Sequence, residues 1–154
     1  MSDVKTTALV WISPSTWPAC VDAARDRAPD DHVVLLHVGD DRIAAEAHRA
    51  YAGLLGRGHG PERDPGSRLQ ALSGVAGADL LEEAAHRLGR PCELLDRHGS
   101  PQEEVVRAAA DVDLLICARD GDPDRPGPHS LGPESRFVVD HAPCPVLLVW
   151  PHRS

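Results

Sequence analysis

The sequence predicts an α/β fold: an open parallel five-stranded sheet with helices on both faces. Two observations carry this reading. Five short runs, Thr6 to Ile12, Val33 to Val38, Pro91 to Leu95, Leu114 to Ala118 and Val146 to Trp150, are separated by segments with helical rhythm. Most of these runs are apolar at nearly every position instead of alternating, the pattern of strands covered on both faces. Strands that alternate with helices imply right-handed crossovers and parallel neighbours. A length of 154 residues suits one domain spanning residues 1–154.

In chain order, the Thr6 to Ile12 strand ends in Ser13-Pro14-Ser15, a turn signal. Ser15 or Thr16 is placed to cap a first helix in which Cys20, Ala23, Ala24 and Ala28 share a face and which Pro29 closes. After the Val33 to Val38 strand, a helix is expected over Asp41 to Leu55, then an exposed Gly/Pro/Arg excursion over Gly56 to Gly66. Leu69, Leu72, Ala76, Leu80, Ala84 and Leu88 keep a 3.6-residue rhythm that Gly89 stops, with Gly77 a weak point inside it. Pro91 to Leu95 reads as a weak strand. Ser100-Pro101-Gln102-Glu103 then predicts a helix start with Ser100 as cap, Pro101 in the first turn and Glu103 closing a capping box, followed by inward Val105, Val106 and Ala109. A proline-rich loop and a short helix over Glu134 to Asp140 separate the last two strands.

Composition excludes several function classes. A net charge of -8 and a single Phe and Tyr disfavour a nucleic-acid surface. The polar start and the lack of any apolar run near 18 residues predict neither leader nor membrane span, hence a cytoplasmic protein. Cys20, Cys92, Cys117 and Cys144 are dispersed, which fits free thiols and no structural metal. Asp120-Gly121-Asp122-Pro123-Asp124 lacks the closing glutamate of a calcium loop, and His141 with Cys144 lacks an orienting acid, so both read as ordinary surface or packing groups. His37, in an apolar strand, reads as a satisfied core histidine. No dinucleotide, Walker, zinc-protease or nucleophile-elbow motif points to an enzyme, and no catalytic residue is assigned.

The most informative stretch runs from Asp113 to Gly121, through Leu131-Gly132-Pro133-Glu134-Ser135, to Val138-Val139-Asp140-His141-Ala142-Pro143-Cys144-Pro145-Val146-Leu147-Leu148-Val149. It resembles the C-terminal half of a universal stress protein (UspA-like) domain. Gly99 to Val106 resembles that family's penultimate helix start, and Val33 to Val38 its second strand. The resemblance implies a Rossmann-like universal stress protein fold, a homodimer through the last strand Val146 to Trp150, and a stress-response binding or regulatory role with an unknown regulatory protein or small ligand as partner.

Many members of that family bind ATP over a loop of pattern G-x2-G-x9-G followed by Ser or Thr. Against that pattern Ala118 replaces the first glycine, Gly121 matches the second, ten residues intervene before Gly132, and Pro133 replaces the hydroxyl residue. Proline supplies neither hydroxyl nor backbone N–H, so two phosphate donors vanish at one position. The first strand ends in Ser13 where nucleotide-binding members carry an Asp, with the Trp11 indole close by. The expectation is a divergent member with a degraded ATP loop, non-enzymatic and without cofactor. The alternative is an ATP- or adenine-nucleotide-binding member with a remodelled loop, in which Ser13, Val38, Gly121, Gly132 and Ser135 would line the nucleotide.

Overall fold

The structure, a computed structural model, describes residues 5–40, 65–121, 124 and 130–151, without the side chains of 65–75. The helix expected over Asp41 to Leu55, most of the Gly56 to Gly66 excursion, and Asp122 and Arg125 of the acidic loop lie outside the described residues. Pro65 and Gly66, assigned above to that excursion, instead open a helix, proline being accommodated where its missing N–H has no helical acceptor.

Five strands form one parallel sheet: β1 (Thr7–Trp11), β2 (His32–Asp40), β3 (Glu93–Gly99), β4 (Leu114–Ala118) and β5 (Val146–Val149). Their order is β3-β2-β1-β4-β5. The register pairs Thr7 with His32, Ala8 with Leu114, Val34 with Glu93 and Leu115 with Val146. Four described helices connect them: α1 (Trp17–Arg27), α2 (Pro65–Leu88), α3 (Pro101–Ala109) and α4 (Pro133–His141). None of the described helices is long and apolar enough to cross a membrane.

Period-two alternation divides the side chains of the central strands between two cores. Ala8, Val10, Ile12, Val33, Leu35 and Ile116 pack against Cys20, Val21 and Ala24 of α1 and Leu81, Ala84 and Leu88 of α2. Leu9, Trp11, Val34, Leu36, Val38, Leu115 and Cys117 pack on the opposite face against Val105 and Ala109 of α3 and Val138 of α4. Val106, expected to face inward, is only partly buried at the margin of that second core.

Three local features depart from or refine the sequence expectations. β3 begins two residues later than Pro91 and runs on to Gly99, because its pairing with β2 continues as far as Asp40. At a sheet edge backbone pairing suffices, so Asp96, Arg97 and His98 join a strand that apolar content could not reveal. α3 starts where expected, with Ser100 at the cap and Pro101 in the first turn, yet the Ser100 side chain makes no capping hydrogen bond. The carboxylate of this first turn that is held by partners is Glu104: Arg107 Nη1 donates to its Oε1 at 2.6 Å, and Arg97 Nη1 lies 4.0 Å from Oε2. Two guanidinium groups thus recruit Glu104, while Glu103 stays exposed.

His37 is 9% exposed and sits in the α1/α2 face of the sheet, its Nδ1 3.1 Å from Asp96 Oδ1 on the neighbouring strand. α2 passes directly over it at Gly77, where a Cβ would stand 2.6 Å from His37 Nδ1. The glycine that weakens the helical pattern is therefore required by a close approach of helix to sheet.

Candidate functional site

In an open α/β sheet, ligands sit beyond the carboxyl ends of the strands, where neighbouring strands send their connections to opposite faces. Here that point lies between β1, followed by α1 on one face, and β4, followed by α4 on the other. The chain leaves β1 through Ile12 and Ser13, and the Ser13 carbonyl accepts the Thr16 and Trp17 N–H groups at 3.2 and 3.0 Å. Thr16 is the α1 N-cap, although its side chain makes no capping hydrogen bond. Leaving β4, the Arg119 N–H donates to the Val149 carbonyl at 2.8 Å and the Gly121 N–H to the Ser130 carbonyl at 3.0 Å. These bonds tie both ends of the acidic loop to described structure.

Asp120 organises the site. Its Oδ1 accepts the Gly132 N–H at 2.6 Å, and its Oδ2 accepts the Ser135 hydroxyl at 2.9 Å. Gly132 is the N-cap of α4, so a carboxylate of the chain itself sits on unsatisfied donors at the positive end of that helix. Gly132 is spatially constrained as well: a Cβ there would meet Asp120 Oδ2 at 2.9 Å. Ser135 is 3% exposed, and Pro133 contributes no N–H to this end of the helix. Arg119 donates through Nη1 to Ser130 Oγ at 2.6 Å, with its guanidinium 5.2 Å over the Trp150 ring.

The space left at this end of the sheet is a cavity of about 120 Å³ bounded by Trp11, Ser13 and Thr16 on one side and by Asp120, Glu134 and Ser135 on the other. Two carboxylates and no basic side chain among its eight lining residues make it unfavourable to anions. Of the residues singled out from the sequence, Ser13 and Ser135 border this cavity, and Gly132 meets it through Asp120. Gly121 holds the loop through Ser130, while Val38 is buried with Trp11 in the α3/α4 core. Asp120 as the group that closes the α4 N-terminus was not identified from sequence. The residue was visible, but its partners lie beyond a loop of ten residues between Gly121 and Gly132.

Cys117 lies in β4 just below this end of the sheet, and burial, with the Asp120 charge adding to it, pushes its thiol up to about 12. Burial likewise pushes Cys20 up to about 12, with Cys117 contributing. Both thiols are held neutral, the opposite of what a nucleophile needs. Cys144 is also raised, mainly by burial. Among the described residues no group of three or more His, Cys, Asp or Glu is placed to hold a metal.

The model of the universal stress protein family matches residues 9–149. The chain belongs to the universal stress protein family. A search of curated proteins by sequence found no significant match. Among solved structures, the fold is similar to that of hypothetical protein MJ0577, the subject of a structure-based assignment of biochemical function, with TM-score 0.65, 21% identity and coverage of 97% of this chain and 98% of that one. It is also similar to the universal stress protein UspA from Lactobacillus plantarum, with TM-score 0.58, 21% identity and coverage of 96% and 99%. A third, a universal stress protein in complex with cAMP, has TM-score 0.60, 17% identity and coverage of 96% and 98%. At these identities the likeness is one of fold. The parallel five-stranded sheet with helices on both faces is thus a Rossmann-like universal stress protein fold.

Proposed function

We propose that this universal stress protein is a non-enzymatic binding or regulatory protein whose role does not depend on ATP. The observation that carries the reading is Asp120. Where a phosphate would take the N–H groups at the start of α4, a carboxylate of the chain already accepts from Gly132 and Ser135. Three further features support it. Pro133 removes a donor, Glu134 adds a second negative charge, and the adjoining 120 Å³ is below the roughly 300 Å³ of small drug-sized sites. The loop that began as a phosphate cradle is, on this reading, closed by its own anion.

Isothermal calorimetry of the purified protein with ATP, with and without magnesium, tests this directly. No heat of binding is expected at millimolar nucleotide. Saturable binding in that range would overturn the reading in favour of a remodelled nucleotide site built on Ser13, Val38, Gly121, Gly132 and Ser135. A parallel titration with cAMP covers the ligand found in the third of the similar structures.

The same reading takes the protein to be a cytoplasmic homodimer joined through its last strand. β5 is an edge strand whose four apolar residues are each partly exposed, and Trp150 beyond it is 40% exposed. Pairing with a second copy would cover both. Light scattering is expected to give twice the monomer mass, and a monomer at micromolar concentration would remove this part of the reading.

A further inference from the structure

A larger cavity, of about 510 Å³, lies at the opposite end of the sheet from the Asp120 site. Its floor is apolar: Leu9, Val34 and Leu95, one from each of β1, β2 and β3, all on the α3/α4 face. Its walls are charged in a definite order. On β3, Glu93 stands at the start of the strand and Arg97 four residues on, on the same face. α3 must run back from the carboxyl edge of the sheet, since it joins the end of β3 to the start of β4. Along that return path Arg107 precedes Asp111, so the arginine is again nearer the middle of the sheet and the acid nearer its amino edge. Both walls therefore place an acid at the same end of the groove and a guanidinium at the other, with hydrocarbon between.

The arginines are held in place yet keep donors to spare. Glu104, only 14% exposed at its side chain, lies between them, 2.6 Å from Arg107 and 4.0 Å from Arg97. Each guanidinium has five N–H groups, and one carboxylate leaves several unused. At the acidic end Glu93 has His32 Nε2 at 3.4 Å, and Asp111 has no partner among the described residues. Such a site suits neither a simple anion nor a simple cation. It suits a molecule with a negative end, an apolar middle and a positive end. Glu93 and Arg97 are separated by about 13 Å of strand at about 3.3 Å per residue, the scale of three extended residues with a hydrogen bond at each end.

We propose that this groove binds short apolar peptides with free termini, the carboxylate meeting Arg97 and Arg107 and the ammonium meeting Glu93 and Asp111. Capturing termini by paired charges over an apolar floor gives length selection, because a shorter or longer peptide satisfies only one end. Nothing in this assignment depends on the Asp120 site or on nucleotide.

The probe is the tripeptide Ala-Leu-Ala, titrated by calorimetry into the full chain alongside its N-acetylated and C-amidated forms. The free tripeptide is expected to bind saturably. Each capped form is expected to bind at least about tenfold more weakly, since each loses one charge-assisted set of hydrogen bonds. Glu93→Gln should reproduce the loss caused by acetylation, and Arg107→Gln the loss caused by amidation. Both side chains are more than half exposed, so the variants should fold, which circular dichroism would check. No saturable binding up to about 10 mM would overturn the assignment. So would equal binding of the capped peptides, or folded variants that bind like the parent.

Discussion

The two ends of the sheet leave very different amounts of space around the same backbone. At the carboxyl end, where this architecture provides a ligand site, Asp120 lies on the Gly132 N–H and the Ser135 hydroxyl and leaves about 120 Å³. At the amino end, where it ordinarily provides none, about 510 Å³ lies between α3 and three strands. Topology therefore decides where donors and helix ends converge, and loop residues decide whether a guest or the chain itself uses them.

The comparison can be broken most severely at the centre of the sheet. Ile116 is fully buried in the strand between the two regions. Ile116→Ala should cost about 2–5 kcal/mol in urea denaturation and weaken both ends together. A loss below about 1 kcal/mol would mean that the core can collapse around the deletion and that the ends are mechanically independent.

An alkaline titration reads the carboxyl end from beneath. Cys20 and Cys117 have thiols raised from 9.0 to about 12 by burial, so the folded state keeps protons that the unfolded chain releases. Their stabilising contribution is complete below pH 9 and is lost as pH rises towards about 12. The expected slope approaches about 1.4 kcal/mol per pH unit for each thiol within that window. The double variant Cys20→Ala, Cys117→Ala should flatten it. An unchanged slope in that variant would assign the alkaline loss to other groups.

Asp120→Ala addresses the difference between the ends directly. Removing the carboxylate leaves the Gly132 N–H and the buried Ser135 hydroxyl without their acceptor, at a cost of about 1–3 kcal/mol. Inorganic phosphate should then raise the Tm of the variant and leave that of the parent unchanged. Equal shifts in both proteins would mean that Asp120 does not exclude anions. The smallest effect belongs to Ser100→Ala, which should stay within about 0.5 kcal/mol because the hydroxyl makes no capping bond. A loss nearer 1 kcal/mol in thermal denaturation would restore the capping box.

Much of the fold was legible because its central strands are apolar on both faces. Val33 to Leu36 and Leu115 to Ala118 are buried on both faces of the sheet, and their short continuous apolar runs announce that. β3 was only half legible, since an edge strand is held by backbone pairing and Asp96, Arg97 and His98 give no hydrophobic signal. At the carboxyl end, Gly132, Pro133 and Ser135 could be placed at a helix start, but the closure by Asp120 depends on how the intervening loop returns. The amino-end groove had no sequence signature at all. Its floor combines Leu9, Val34 and Leu95, and its walls add Arg97 and Arg107, positions brought together by strand register and by the direction of α3.

The contact between Gly77 and His37 has a consequence for how α2 is seated. A helix of 24 residues is about 36 Å long and, resting on a smooth apolar sheet, could slide by a turn with little change in buried area. The imidazole projecting from β2 admits the helix only where the side chain is a hydrogen atom. The pair acts as a dowel and socket that fixes the axial setting of α2, so a side chain at position 77 should be tolerated only when His37 is also made smaller.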